Sequence, residues 1–227
     1  MSQSLMPEHA PFVVVAFLGA AGLFAVLAGA AILAALLRKR RGATWLAAGA
    51  ALVLFGYAGA VLLASAAGEE KTLRRGDRKY FCEIDCHVAY SIAGVRSAKA
   101  IAGRRANGTF AVVDVKTWFD PDTIASFRGN GPLSPNPREA WIADGLGRRF
   151  GPSPDGMAAL QEERGSPSVP FSRELRPGES YVTTLVFDLP PGIPRPRLFV
   201  GDPPGIENAL IGHENSPGHA RIYFALE

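Results

Sequence analysis

Residues 11–37 and 43–67 contain no Asp, Glu, Lys, Arg or His. Between them stand four consecutive bases, Arg38, Lys39, Arg40 and Arg41. A bilayer hydrocarbon core about 30 Å thick takes roughly 20 apolar residues at about 1.5 Å each. Both runs exceed that length, so the pattern predicts two transmembrane helices joined by a basic turn over residues 38–42. The first run has no basic segment before it and is longer than the apolar stretch of a cleaved signal. It is therefore read as a true span.

The charge distribution orients the hairpin. Short basic loops stay in the cytoplasm, which places 38–42 there. The tail 1–10 and the large C-terminal part are then expected outside the cytoplasm, with the hairpin integral to a plasma or inner membrane. Lys71, Arg74, Arg75, Arg78 and Lys79 argue the other way, but they are interleaved with Glu69, Glu70 and Asp77. The sequence pI of about 9.0 does not indicate nucleic-acid binding. From Glu69 onward acids and bases balance at 20 each, and no basic stripe suits a phosphate backbone. The small-residue spacings Ala25/Gly29 and Gly56/Ala60 suit close helix packing, though in helices so rich in alanine they also arise by chance.

Residues 68–79 read as a polar linker. Beyond them the period changes to two. Ala111, Val113, Val115 and Phe119 alternate with Phe110, Asp114, Lys116 and Trp118, as in a half-buried strand. Val88, Tyr90 and Ile92 alternate likewise, as do Ile222, Phe224 and Leu226. Ser180–Leu189 is rich in β-branched and aromatic residues. Arg176-Pro177-Gly178-Glu179 fits a type II turn. Asp144, Gly145 and Gly147 suggest a tight connection between 141–143 and 148–150, and Gly156–Glu163 suits a short helix. Ile206–Gly212 and Ala220–Leu226 look like paired strands. Many short strands and few helices predict a mainly β fold, with a two-helix transmembrane hairpin followed by an antiparallel β-sandwich over 80–227.

Thr109–Lys116, Trp141–Phe150, Leu175–Tyr181 and Leu185–Pro190 together resemble the telokin-like immunoglobulin fold of uncharacterised bacterial membrane proteins and lipoproteins. The resemblance spans roughly 79–227 and carries no catalytic motif. It implies an immunoglobulin-like sandwich of about seven to nine strands outside the cytoplasm that serves recognition. It assigns no functional residue.

Chemistry could reside in Cys82 and Cys86, within Phe81-Cys82-Glu83-Ile84-Asp85-Cys86-His87, and in His87, His213 and His219. A Cys82–Cys86 disulfide needs the segment to turn, because four extended steps span about 13 Å and a bridge needs Cα atoms within about 7 Å. An oxidising compartment favours such a bridge. Alternatively the thiolates and His87, with His213 and His219 facing each other across a hairpin mouth, could bind copper or zinc. The C-x-x-x-C spacing is similar to that of copper chaperones and oxidase copper centres, but Tyr90 stands where the oxidase pattern has histidine. C-x-x-x-C-H would also be an unusual haem attachment. No nucleophile elbow, phosphate loop or His-Glu-x-x-His motif is present in the sequence, and Asp120, Asp122, Asp144 and Asp155 read as turn formers. The sequence thus favours a membrane-anchored binding or accessory module with an envelope protein as partner. The alternative is a copper, zinc or thiol-redox accessory.

Overall fold

Runs rich in Ala and Leu lose little side-chain freedom in a helix, and the N-terminal third forms two: α1 (Ala10–Leu36) and α2 (Arg40–Ala67). The computed structural model describes residues 4–5, 10–81 and 87–227. Both helices are long and apolar enough to cross a membrane. Between them Arg38 adopts a left-handed conformation, φ 59°. Its N–H donates to Ala35 O and that of Lys39 to Ala34 O, at 3.0 and 2.8 Å. These bonds close α1 as a Schellman cap with arginine where glycine is usual. The helices meet where Leu27 reaches the space a Cβ on Gly49 would touch, at 3.6 Å. Phe17 and Tyr57 add a ring contact at 6.0 Å. Gly29 and Gly56 face open space among the described residues, so the close approach is at neither of them.

The chain divides into two compact units. One comprises Glu8–Glu69 with Pro204–Arg221, and the other Met1–Pro7, Glu70–Pro203 and Ile222–Glu227. In the helical unit, the Tyr57 hydroxyl donates to Ala209 O at 2.9 Å. Ala209 ends a 3-10 turn, Ile206–Ala209. Pairing of 206–212 with 220–226 is therefore corrected. The first segment coils into this turn, and the second finds other strands as partners.

The second unit holds two five-stranded sheets. Sheet A contains β1 (Ser4–Leu5), β3 (Arg78–Phe81), β4 (Val88–Ile101), β5 (Arg104–Phe119) and β8 (Ser180–Leu189), in that spatial order. Sheet B contains β2 (Lys71–Leu73), β10 (Ile222–Ala225), β9 (Arg197–Gly201), β6 (Glu139–Ala143) and β7 (Arg149–Phe150). The stretch read as a linker thus carries β2, parallel to β10, and the start of β3. Val113, Val115, Leu185 and Phe187 of sheet A pack against Ile142, Leu198, Val200 and Phe224 of sheet B. The arrangement is a sandwich whose core lies between the sheets.

β4 and β5 are joined by Ala102 and Gly103, both at positive φ (44° and 78°), as a two-residue type I′ turn requires. The expected half-exposure of β5 is corrected at its centre. Phe110 and Val112, on its other face, are buried with Ala159 and Leu160 of α3 (Pro154–Arg164). Ser153 caps α3 by accepting from Gly156 N at 3.1 Å, and Pro154 occupies its first turn. Gly156 permits the close seating, since a Cβ there would stand 2.6 Å from Val186 Cγ1. The outer edge of β8 is also occupied. Val186 O accepts from Ser153 N at 2.7 Å, Val186 N donates to Met157 Sδ at 3.3 Å, and Thr184 N to Ser168 Oγ at 2.9 Å. These contacts blunt a ten-residue edge that could otherwise template aggregation.

The tight connection after β6 forms around Asp144, which is 1% exposed. Its Oδ1 accepts from the N–H groups of Leu146 and Arg148, each at 2.9 Å, and its Oδ2 from Arg148 Nε at 2.6 Å. Burial alone would raise this carboxyl. The Arg148 guanidinium and the two N–H groups outweigh it and hold it below the usual range. A depressed folded pKa adds stability that is present above the unfolded value of about 3.9 and lost as pH falls through the folded one. Asp144→Asn is therefore expected to flatten the acid limb of a melting-temperature profile below about pH 4. An acid limb unchanged by the substitution would contradict this.

Candidate functional site

One end of the sandwich collects buried polar groups that the alternating pattern does not announce. β3 ends at Phe81 and β4 begins at Val88, and these residues are cross-strand partners, as are Val88 and Phe119 at the end of β5. β9 ends beside the start of β6, with Gly201 opposite Glu139. The connections at this end therefore include 120–138 and the chain beyond Gly201.

His87 is 3% exposed and stacks on Phe119, with centroids 5.8 Å apart and planes 15° from parallel. Its Nδ1 lies 2.7 Å from Thr123 Oγ1, and that hydroxyl donates to Asp120 O at 3.1 Å. Asp120 N donates to His87 O at 2.8 Å. Asp120 Oδ1 accepts from Asp122 N at 3.0 Å, the turn-forming role expected of it. Its other oxygen takes the Tyr80 hydroxyl at 2.5 Å. Burial, then the bond to Asp120, raises the Tyr80 phenol above its ordinary range.

Two cations lie inside the same end. Lys79 is 4% exposed and donates Nζ to Val200 O at 2.7 Å, so it reaches from sheet A to the backbone of sheet B. The same Nζ stands 4.9 Å from the Phe81 ring and 4.8 Å from that of Phe199. The Arg138 guanidinium lies 4.2 Å from the Phe81 ring and forms an ion pair with Asp202. Its side chain is 1% exposed. Ring faces are negative, so Phe81 helps both charges remain out of water. Read along the sequence, Lys79 belongs to a charged linker. In the sheet it shares the inward parity of Phe81, and that parity is the signal that finds it.

Above this base runs the 120–138 connection. Arg128 lies 4.7 Å over the Phe119 ring and donates to Gly131 O at 2.8 Å. Leu133 bridges to Leu175. Phe127, immediately before Arg128, is 92% exposed.

Cys82 and Cys86 lie outside the described residues, so the disulfide and thiolate expectations fall there. His87 belongs to the sandwich unit, whereas His213 and His219 belong to the helical unit. His213 Nδ1 accepts from Asn215 N at 3.1 Å, and His219 Nδ1 lies 2.6 Å from Ala220 O. A neutral His213 therefore spends its lone pair on the backbone, while a neutral His219 keeps its own on Nε2. Among the described residues, no group of three or more His, Cys, Asp and Glu is placed to hold a metal ion.

No known protein family and no curated protein matches the sequence. Among solved structures, the secreted protein MPT63 from Mycobacterium tuberculosis aligns with a TM-score of 0.41 and 10% identity, over 69% of this chain and 98% of that one. A conserved hypothetical protein from Bacillus anthracis aligns with a TM-score of 0.37 and 13% identity, over 50% of this chain and 82% of that one. At these scores neither likeness bears on activity.

Proposed function

We propose that the chain is an integral membrane protein in which α1 and α2 cross the bilayer and tether an immunoglobulin-like sandwich outside the cytoplasm. The sandwich acts by binding an envelope protein through its 120–138 loop. The observation that carries this reading is Phe127. It is an aromatic side chain 92% exposed on a loop held at its base by the Asp120–Tyr80 and Thr123–His87 bonds. Exposed aromatics on rigidly supported loops are the usual anchors of protein interfaces.

The test has two arms. A reporter fused at Glu227 should read as extracytoplasmic, and a cytosolic signal would overturn the orientation. Affinity capture from detergent extracts should recover a partner with the native chain and lose it with Phe127→Ala. Recovery unaffected by that change would remove the loop from the interface.

The second reading is a thiol-redox or metal accessory, and it rests on the Cys82–His87 run of the sequence alone. Thiol titration of the purified protein, with and without added copper or zinc, separates the readings. Reactive thiols protected by metal support the second, and fully oxidised cysteines remove it.

A further inference from the structure

The segment Pro204–Arg221 leaves the sandwich unit and packs with the helices. It lies along the C-terminal part of α2. At one end Ala209 O receives the Tyr57 hydroxyl, and at the other the His219 ring lies where a Cβ on Gly68 would meet it at 3.0 Å. Tyr57 and Gly68 are separated by about 16 Å of helix, at about 1.5 Å per residue.

That spacing fixes a depth. Arg40 and Arg41 begin α2 and cannot enter the hydrocarbon core cheaply, so the core starts near Gly42. Roughly 20 residues then cross it, to about Val61. Tyr57 falls about four residues, or about 6 Å, inside the far boundary. Starting the core at Arg40 instead still leaves Tyr57 within it, and tilt only lengthens the buried stretch. The result does not depend on which side holds the basic turn.

Whatever is bonded to Tyr57 therefore sits at that level as well. The polarity of the segment agrees with this placement. Ile206, Ala209, Leu210 and Ile211 lie toward the Tyr57 end, while His213, Glu214, Asn215, Ser216 and His219 follow toward Gly68. Ile206 and Ala209 are three apart in a 3-10 turn and so share a face. Ile206 is 65% exposed, an isoleucine left largely open by the described residues. Glu207 and Asn208 on the same turn are half-buried, which suits the headgroup boundary better than the centre of the core.

We propose that this segment is a third membrane-contacting element. Its 3-10 turn dips into the bilayer interface opposite the basic turn, with lipid as the partner of Ile206. The inference rests on α2 being a transmembrane span, and one experiment separates the failure of each.

A photoactivatable benzophenone residue is placed singly at Leu52, Ile206 or Val182 of the full chain, reconstituted in phosphatidylcholine–phosphatidylglycerol vesicles. These side chains are 75%, 65% and 42% exposed, so replacement disturbs little packing. Leu52 reports the span, and Val182, on β8, reports the aqueous sandwich. Lipid adducts at Leu52 and Ile206, with background only at Val182, are the expected result. Adducts at Leu52 alone, or a protein–protein crosslink from Ile206, would overturn the interfacial segment and leave the span standing. Failure of Leu52 to capture lipid would overturn both.

Discussion

Arg138→Ala is expected to lower the unfolding free energy of the sandwich by about 3–5 kcal/mol, the cost of removing one partner of a buried ion pair. The Arg138 side chain is 1% exposed and pairs with Asp202, which is 21% exposed. Its guanidinium lies 4.2 Å from the Phe81 ring and 5.7 Å from that of Tyr90. Alanine leaves Asp202 without this partner and opens a cavity beside two rings. Two terms therefore add, one electrostatic and one from lost packing. Arg138→Met separates them, because it restores volume without charge and should recover only the packing part. Urea unfolding of the full chain in detergent, followed by tryptophan fluorescence with Trp45 replaced by Phe so that Trp118 and Trp141 report, measures both variants. A midpoint for Arg138→Ala equal to that of the native chain would show that the buried pair contributes nothing.

The same arginine shows what the sequence could and could not disclose. Uncharged runs announce helices long and apolar enough to span a bilayer, because in lipid only apolar side chains on a fully bonded backbone are tolerated. The runs 11–37 and 43–67 duly correspond to α1 and α2. β8 was legible for a similar reason. Its β-branched and aromatic residues suit a pleated, buried surface, and both its ends are marked by turn residues. The β4–β5 turn was not legible. Ala102-Gly103 lacks the Asn-Gly or Asp-Gly signature, so the long hairpin was seen only as separate shorter strands.

Lys79 and Arg138 were missed because a charge is read as exposed unless its partners are known. Those partners, Val200 O and Asp202, lie more than 60 residues away in the chain. The supposed hairpin bearing His213 and His219 failed for a related reason. Strand pairing is decided by which edge is available, and Ile222–Ala225 fits between β2 and β9. Residues 206–209 then lack a strand partner and coil into a 3-10 turn. Of the candidate site, the sequence singled out His87 only as a possible metal ligand. Its surroundings were not legible, since Asp120 and Thr123 reach it, and Tyr80 reaches Asp120, only when three strands meet at one end.

Phe127→Ala should weaken partner capture by about thirtyfold or more, roughly 2 kcal/mol, the scale of an aromatic hot spot. The same change should leave the fold within about 0.5 kcal/mol of the native chain. The asymmetry follows from exposure. At 92% exposed, the ring has little packing to lose in the free protein, so its value is realised only when a partner covers it. Phe119→Ala is the necessary contrast. That ring is fully buried between His87 and Arg128, and truncating it should cost both stability and binding, because the loop loses its base. Phe127→Leu should retain part of the affinity by keeping apolar area without the ring. Paired titrations of captured partner and melting temperatures for the three variants test the whole argument. Loss of binding in Phe119→Ala with none in Phe127→Ala would move the contact surface off the loop tip and onto its foundation.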